Sequence, residues 1–334
     1  MENIEALKVH LSTPKSIVIT AHRNPDGDAI GASLGLYHFL NQFGHTVRII
    51  FPSEYPNVFE WLEEVDKATI YDLEKEKSEE LIKEANIIFC LDYNSLDRVD
   101  KLGVFINESK AVKVMIDHHM DPEPFVDFMM SHPEASSTAE MIYTFIEQLG
   151  EKDKLNTNIG EAIFTGLLTD TGSFAYNTNP NLFRVASELK ALGVDDYKLQ
   201  QEIFNTLPEK NLRLLGHCLA NRMEIIPELH TGIIVLNKED YIKYDIQRGD
   251  SEGIVNYILS IKGIKVAAFI REQPYIVKLS LRSKGDFSVQ EIARDHFNGG
   301  GHKNASGGYS KKGLKHTLEK FKTILPAYIY KNSN

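Results

Sequence analysis

The sequence has no long apolar run. Nothing in its 334 residues approaches the ~18 consecutive apolar residues of a membrane-spanning helix, so no membrane partner is expected. Its first residues, MENIEALKVHLSTPKS, have neither the basic start nor the apolar stretch of a secretory signal. Cysteine is scarce. Cys90 and Cys218 cannot make a disulfide framework, and a reducing cytoplasm is the expected setting. Internal repeats and low-complexity tracts are absent, and no Gly-x-Ser-x-Gly elbow marks a serine hydrolase. Positive charge is in deficit: 37 Lys and Arg stand against 47 Asp and Glu, a net charge of −10. Taken whole, that balance argues against a broad grip on nucleic acid, which usually leaves a basic footprint. What is present is ordinary for a globular protein. With 42% hydrophobic and 10% aromatic residues there is ample core material, which excludes a disordered chain. The length suits two domains that together bury roughly three quarters of the unfolded surface.

The first half alternates between two patterns. SIVIT (16–20), TVRIIF (46–51), ANIIFCLD (85–92) and AVKVMIDHH (111–119) are apolar runs suited to strands buried on both faces of a parallel sheet. Helical spacing runs from Ala29 to Phe43 and around 78–85, 136–149, 158–169 and 181–191. The alternation implies an α/β domain over residues 1–190, built on an open parallel sheet. Residues 191–225 read as a helical connector, with VDDYKLQQEIFNTL and PEKNLRLLGHCLANRMEII as its two helices. Residues 226–334 then read as a smaller α+β domain. It has strands at 230–237, 265–272 and 275–283, a helix at 288–297, a glycine-rich loop, and a short strand at 308–310.

Charge divides along the same lines. Residues 1–210 carry 18 basic and 35 acidic side chains, a net −17; residues 211–334 carry 19 and 12, a net +7. An acidic domain is joined to a basic one.

Four short stretches concentrate His and Asp: His22-Arg23-Asn24-Pro25-Asp26-Gly27-Asp28, Leu91-Asp92, Asp117-His118-His119, and Thr169-Asp170-Thr171-Gly172. Three of them end expected strands, where open α/β sheets place their ligand sites. Each piece alone has an ordinary reading: Asp26-Gly27-Asp28 as a turn, a lone Asp as a helix cap, His118 as a core histidine. Together they are harder to explain that way. Several carboxylates gathered at one place repel one another unless cations intervene. Oxygen-rich donors with some imidazole suit Mn²⁺ or Mg²⁺ better than a structural zinc, and the count fits two ions sharing a carboxylate.

These motifs, with Gly299-Gly300-Gly301-His302 near the C-terminus, resemble the DHH phosphoesterase superfamily and its DHHA1 subfamily. The likeness spans about residues 15–325. With its length and the position of Arg98, the chain is most similar to the bifunctional oligoribonuclease and pAp phosphatase proteins, the nano-RNases. The resemblance implies that His22, Asp26 and Asp92 hold one Mn²⁺, and that Asp28, Asp92, His118 and Asp170 hold the other. Asp92 would bridge the two. Asp117 would orient a neighbouring ligand, and His119 would act on the phosphate beside the metals. It further implies phosphate or nucleotide contacts from Arg98, Arg282, Ser283, Gly300, Gly301, His302 and Asn304. For Arg98 the ordinary alternative is pairing with Asp97 or Asp100; for Arg282, pairing with Asp286.

The expected activity is hydrolysis of short single-stranded oligoribonucleotides to mononucleotides, and of pAp, by a water activated between two divalent ions, Mn²⁺ or Mg²⁺. The acidic domain would cut while the basic domain, across a cleft, holds the other end of the substrate. Two alternatives stay open. One is a cyclic or linear dinucleotide phosphodiesterase; the other is a nucleic-acid-binding module without catalysis. A homodimer is the expected assembly.

Overall fold

A computed structural model of the chain describes residues 1, 3–247 and 249–331. The end of the expected second domain, 332–334, lies outside the described residues. The chain divides into two compact units, Met1–Thr206 and Leu207–Asn334.

Unit one is a doubly wound α/β structure. Its strands are β1 (Ser16–Ala21), β2 (Thr46–Phe51), β3 (Thr69–Ile70), β4 (Ile87–Leu91), β5 (Val112–Asp117) and β6 (Phe128–Ser131). They form one parallel sheet in the order β3-β2-β1-β4-β5-β6. The helices are α1 (Ile4–Leu11), α2 (Gly27–Asn41), α3 (Lys75–Glu84), α4 (Leu102–Glu108), α5 (Thr138–Leu149), α6 (Thr157–Asp170), α7 (Pro180–Ala191) and α8 (Asp196–Phe204). Residues of α1, α2 and α5 to α8 cover one sheet face, and α3 and α4 cover the other. Covered on both sides, the central strands have no reason to alternate, and β4 is buried at every position.

Small residues let α2 approach α5 and α6 closely. A Cβ on Gly31 of α2 would lie 2.4 Å from the Ala162 carbonyl oxygen of α6. One on Gly166 of α6 would lie 2.4 Å from Ala139 Cβ of α5 and 2.8 Å from an Asp28 carboxylate oxygen. The glycines therefore set how near Asp28, at the start of α2, comes to the neighbouring helices.

Unit two holds α9 (Glu209–Asn221), β7 (Met223–Ile226), β8 (Thr231–Leu236), α10 (Lys238–Lys243), α11 (Ile254–Leu259), β9 (Val266–Glu272), β10 (Val277–Ser283), α12 (Val289–His296), β11 (Gly300–His302), β12 (Ala305–Ser310) and α13 (Leu314–Lys331). Its six-stranded sheet has the order β11-β12-β10-β9-β8-β7. Only the β8–β9 pair is parallel. Residues of α12 and α13 pack on one face, and of α9 and α11 on the other. Two elements differ from the sequence reading. The helix expected to run to Ile226 stops at Asn221, because Met223–Ile226 pairs with β8 and side chains such as Ile suit a sheet. The glycine-rich stretch is not a loop but a hairpin in which β11 pairs with β12.

Among the described residues, no helix is long and apolar enough to cross a membrane.

Candidate functional site

The site in unit one is built from the carboxyl ends of three neighbouring strands. β1 delivers His22, β4 delivers Asp92, and β5 delivers Asp117, His118 and His119. Asp26 caps α2: its Oδ1 accepts from the backbone N–H groups of Asp28 and Ala29, both at 3.1 Å. Its other oxygen lies 3.7 Å from His22 Nε2. The helix-cap reading and the site reading thus hold for the same carboxylate, one oxygen each.

Asp92 is at the centre. Its Oδ2 lies 3.3 Å from His22 Nε2, and its Oδ1 lies 3.6 Å from His118 Nε2 and 3.7 Å from His119 Nδ1. Its backbone takes a left-handed conformation, with φ 62°, which is uncommon for a residue other than glycine. Such strain persists only where the surroundings impose it. His118 Nε2 also faces Asp28 at 3.8 Å and Asp170 at 3.5 Å. Ligand atoms of His22, Asp26 and Asp92 lie within 4.8 Å of one another, and so do those of Asp28, Asp92 and His118. The two groups share Asp92.

The histidine tautomers bear on what fits here. His22 Nδ1 faces the Arg23 carbonyl at 3.0 Å, and His118 Nδ1 faces the Ala135 carbonyl at 3.2 Å. A carbonyl only accepts, so each Nδ1 donates and each neutral Nε2 presents a lone pair. Those lone pairs point at carboxylate oxygens, which also only accept. A proton on Nε2 or a shared cation resolves that opposition. The spacings, from 3.3 to 3.8 Å, are longer than a hydrogen bond and close to the about 3 to 3.5 Å between ligands that sit about 2.1 Å from one ion. Imidazoles tied to a backbone carbonyl through the other nitrogen are the usual metal-ligand arrangement.

Electrostatics agree. Burial and the neighbouring carboxylates of Asp92, Asp170 and Asp26 push Asp28 well above the ordinary carboxylate range. Burial, with Asp26 and Asp92, lifts Asp170 to about 7 against the pull of His118. Asp170 is also the last residue of α6, the end of a helix dipole that disfavours an anion. Burial opposes charge on His22, but Asp26 and Asp92 overcome it and raise the imidazole to about 10. Asp28 and Asp170 thus resist ionisation while His22 holds Asp26 and Asp92 below the ordinary range, and the residues present fit divalent cations that would neutralise all four.

Asp117 is buried and turned to His119: its Oδ1 lies 2.8 Å from His119 Nδ1, and its Oδ2 accepts the His119 backbone N–H at 3.1 Å. His119 is thereby oriented with Nε2 on the opposite side of its ring. Arg98 lies in a single 3₁₀ turn after β4. Its charge helps hold Asp26 down and opposes the burial and the Asp92 charge that lift Asp117 to about 6, and Asp100 lies 3.4 Å from Arg23.

The N-terminus of α5 was not anticipated as part of this centre. The Thr138 and Ala139 N–H groups donate to the two Asp28 oxygens at 2.7 and 2.8 Å, and the Thr138 hydroxyl donates to Asp92 Oδ1 at 2.9 Å. The pattern Ser137-x-x-Glu140 is a legible helix start. Nothing in it reveals that the amides serve a carboxylate more than 100 positions away.

In unit two, Arg282 and His302 share a face of the sheet, because both register with Ala305. Asp286 receives Lys303 Nζ at 2.9 Å. Ser283 is buried; it donates to the Phe287 carbonyl and accepts from Asn304 Nδ2 at 2.8 Å. Asn304 also donates to the Gly285 and Phe287 carbonyls. These two side chains therefore tie the 283–287 turn. Gly301 has φ 132°, a conformation open to glycine, whereas Gly300 is exposed with ordinary φ.

Comparison with known proteins matches this geometry. Residues 16–167 match the DHH family, N-terminal domain, and residues 232–331 match the DHHA1 domain. The bifunctional oligoribonuclease and PAP phosphatase NrnA of Thermus thermophilus is 32% identical over 89% of this chain and 85% of its own. NrnA of Bacillus subtilis is 30% identical over 89% and 90%. A crystal structure of an exopolyphosphatase-related protein from Bacteroides fragilis superposes with a TM-score of 0.95 at 39% identity, covering 99% of this chain and 97% of that one. With its acidic and imidazole centre at the strand ends and its second sheet matching DHHA1, the chain belongs to the DHH family and is a phosphoesterase.

Proposed function

We propose that the chain is a Mn²⁺-dependent phosphoesterase that hydrolyses short oligoribonucleotides to mononucleotides and pAp to AMP. The observation that carries this reading is the Asp92 carboxylate, whose two oxygens face two separate imidazoles, each within its own set of carboxylates. The activities named for the relatives supply the substrate class. His22, Asp26 and Asp92 would hold one ion, and Asp28, Asp92, His118 and Asp170 would hold the other. When bound, two divalent ions supply a water activated at neutral pH and neutralise charge building on the phosphoryl oxygens.

The chain's own groups do the rest. Thr138 and the N-terminus of α5 fix Asp92 and Asp28, so the carboxylates do not reorganise during the reaction. Asp117 holds the His119 ring through Nδ1, so that Nε2, in the imidazolium form, donates to a phosphoryl oxygen. Arg98 offers a planar two-pronged donor to the same phosphate. Arg282, His302 and the open backbone at Gly300 bind the far end of the substrate. Ser283, Asn304 and Gly301 hold the hairpin that presents them.

The same proposal keeps catalysis in 1–190, a helical connector at 191–225 and substrate binding in 226–334. It sets the enzyme in the cytoplasm as a homodimer. Both cysteines are free and buried, consistent with a reducing setting. Turnover of pAp, linear diadenylate, a short RNA and a cyclic dinucleotide, each with Mn²⁺ and with Mg²⁺, tests the reading. Preference for the cyclic substrate would move the assignment to a cyclic dinucleotide phosphodiesterase. RNA binding without hydrolysis of any of the four would overturn catalysis altogether. In Asp92→Ala and His119→Ala variants, turnover should fall by at least a hundredfold.

A further inference from the structure

Side chains alternate along β10. Val277, Leu279, Leu281 and Ser283 are buried on one face, while Lys278, Ser280 and Arg282 take the other. The strand register extends that second face into three rows, because directly paired residues share a face. The first row is His302, Ala305, Arg282 and Ala267. The middle row is Gly300, Gly307, Ser280 and Phe269. The third is Tyr309, Lys278 and Arg271. Rows two residues apart lie roughly 6.7 Å apart, so the outer rows are separated by about 13 Å.

The glycines of this hairpin fall into two classes. Gly299, Gly301 and Gly308 serve the fold. A Cβ on Gly299 would lie 2.0 Å from the Gly307 carbonyl oxygen, and one on Gly308 would lie 2.8 Å from that of Phe297. Gly301 has its positive φ. Gly300 and Gly307 have no such reason. A Cβ on Gly300 meets nothing, and one on Gly307 meets only the Leu279 carbonyl oxygen, at 3.7 Å. Glycine weakens a strand, and one that the fold does not require commonly marks close approach from outside. These two are directly paired and leave the middle row bare.

Arg271 gives an independent sign. Its Nη1 donates to Ser251 Oγ at 2.6 Å, its Nη2 to Ser280 Oγ at 3.2 Å, and its buried Nε has no partner. Among the described residues, no carboxylate lies within ion-pair distance of it. Ser280 Oγ, already accepting from a cation, keeps its own proton to donate, and no described residue takes it. Lys278 beside it is exposed. A cation backing a free hydroxyl, next to a second cation and an aromatic ring, suits an anionic ligand that carries a flat group.

We propose that the middle and third rows form a second nucleotide subsite, occupied by the nucleotide next to the one held at Arg282 and His302. Its sugar lies on the Gly300–Gly307 floor, Tyr309 stacks on its base, and Lys278 and the Ser280 hydroxyl bind its phosphate. Arg271 acts through Ser280 as a positioning residue. The spacing fits a sheet face that carries two nucleotides. This subsite rests on the nucleotide phosphoesterase reading above and makes that enzyme sense the length of its substrate. A mononucleotide such as pAp needs the first row alone.

The test compares pAp with 5′-phosphorylated triadenylate in wild type, Gly307→Val, Tyr309→Ala and Lys278→Gln. Gly307→Val fills the floor, where the fold leaves room; Tyr309→Ala empties the stacking position. Each should raise KM for the trinucleotide about tenfold, the order of one lost base stack, with kcat and pAp turnover changed less than twofold. Lys278→Gln should also flatten the salt dependence of trinucleotide KM, by a log–log slope of about 0.7. Melting curves identify any variant that has lost its fold, and the remaining variants then decide. Equal losses on both substrates, or unchanged trinucleotide KM in folded variants, would overturn the subsite. Wild type that turned over pAp but not the trinucleotide would overturn it too, leaving the phosphoesterase intact. Wild type that hydrolysed neither would remove both.

Discussion

Gly31→Ala should destabilise unit one, while the same exchange at Gly216 should stabilise unit two. A Cβ at Gly31 would lie 2.4 Å from the Ala162 carbonyl oxygen and 2.8 Å from the Gly166 nitrogen. Both are backbone atoms, so relief requires α2 and α6 to separate by about 1 Å rather than one side chain to turn. Overpacking of this kind costs about 3 kcal/mol at its upper range. Alanine's better helix propensity returns about 1 kcal/mol, leaving a net loss of about 2 kcal/mol. At Gly216, inside α9, an added Cβ meets nothing within 4 Å, so only the propensity gain of about 0.5–1 kcal/mol remains. The chain has one tryptophan, Trp61, and it lies in unit one. Urea unfolding followed by its fluorescence therefore reports that unit, while circular dichroism reports both. Gly31→Ala should lower the fluorescence midpoint and reduce turnover roughly a hundredfold, since a shift of about 1 Å moves Asp28 relative to Asp170. Gly216→Ala should leave the fluorescence midpoint in place. A Gly31→Ala protein as stable and active as wild type would refute the view that α2 and α6 are held at contact by absent side chains.

Added Mn²⁺ should raise the melting temperature of unit one, by the equivalent of about 2.7 kcal/mol at a hundredfold excess over Kd, and Asp92→Asn should abolish most of that shift in calorimetry. Thr138→Val removes the hydroxyl on Asp92 Oδ1 and should cost about 1–3 kcal/mol in urea unfolding, with lower kcat and little change in KM. Burial pushes the Cys90 and Cys218 thiols up to about 12, so a thiol reagent should label neither in the folded protein and both after denaturation. Hydrogen bonds from Lys152 and Tyr143, with Arg184, hold the Glu188 carboxyl down to about 2. A lowered folded pKa adds stability above the unfolded value near 4.3, and that increment disappears as pH falls through about 2. The stability difference between wild type and Glu188→Gln should therefore shrink between about pH 5 and pH 2; a constant difference would mean that Glu188 contributes only packing.

Sequence pattern reached the first unit more fully than the second. Strands buried on both faces, such as Ile87–Leu91, read as uninterrupted apolar runs, because a parallel sheet covered by helices leaves no solvent side to force alternation. Two-residue β3 and the edge strand β6 carry too few residues for a period to register. In unit two, β7 was hidden at the end of a helical pattern, since its pairing with β8 is a long-range fact. The hairpin at 300–310 was hidden by glycine, which signals a turn in sequence and here supplies room beside a strand. The histidine and aspartate motifs were legible because their residue types are unusual at strand ends. The α5 amides that hold Asp28 were not, because a backbone N–H leaves no trace in sequence.

The net charge of −10 hides two opposed arrangements. In unit one, Asp28 and Asp170 are forced toward neutrality by burial and by neighbouring carboxylates, so in the absence of a cation the folded unit carries their repulsion. Linkage makes that repulsion a binding energy: whatever the crowded carboxylates subtract from the stability of the ion-free fold, bound divalent ions return on entering. Replacing Asp170 by asparagine should therefore stabilise the ion-free protein while weakening Mn²⁺, two effects of opposite sign from one side chain. In unit two the imbalance is reversed. Arg271 is half-buried with no carboxylate within ion-pair distance among the described residues, held by two serine hydroxyls and lying 5.0 Å over the Phe269 ring. Burial lowers its pKa, so this cation too is destabilised by its surroundings, and the anion proposed for the adjacent sheet face would relieve it. Each unit thus keeps one charge sign in excess where its proposed ligand would supply the other.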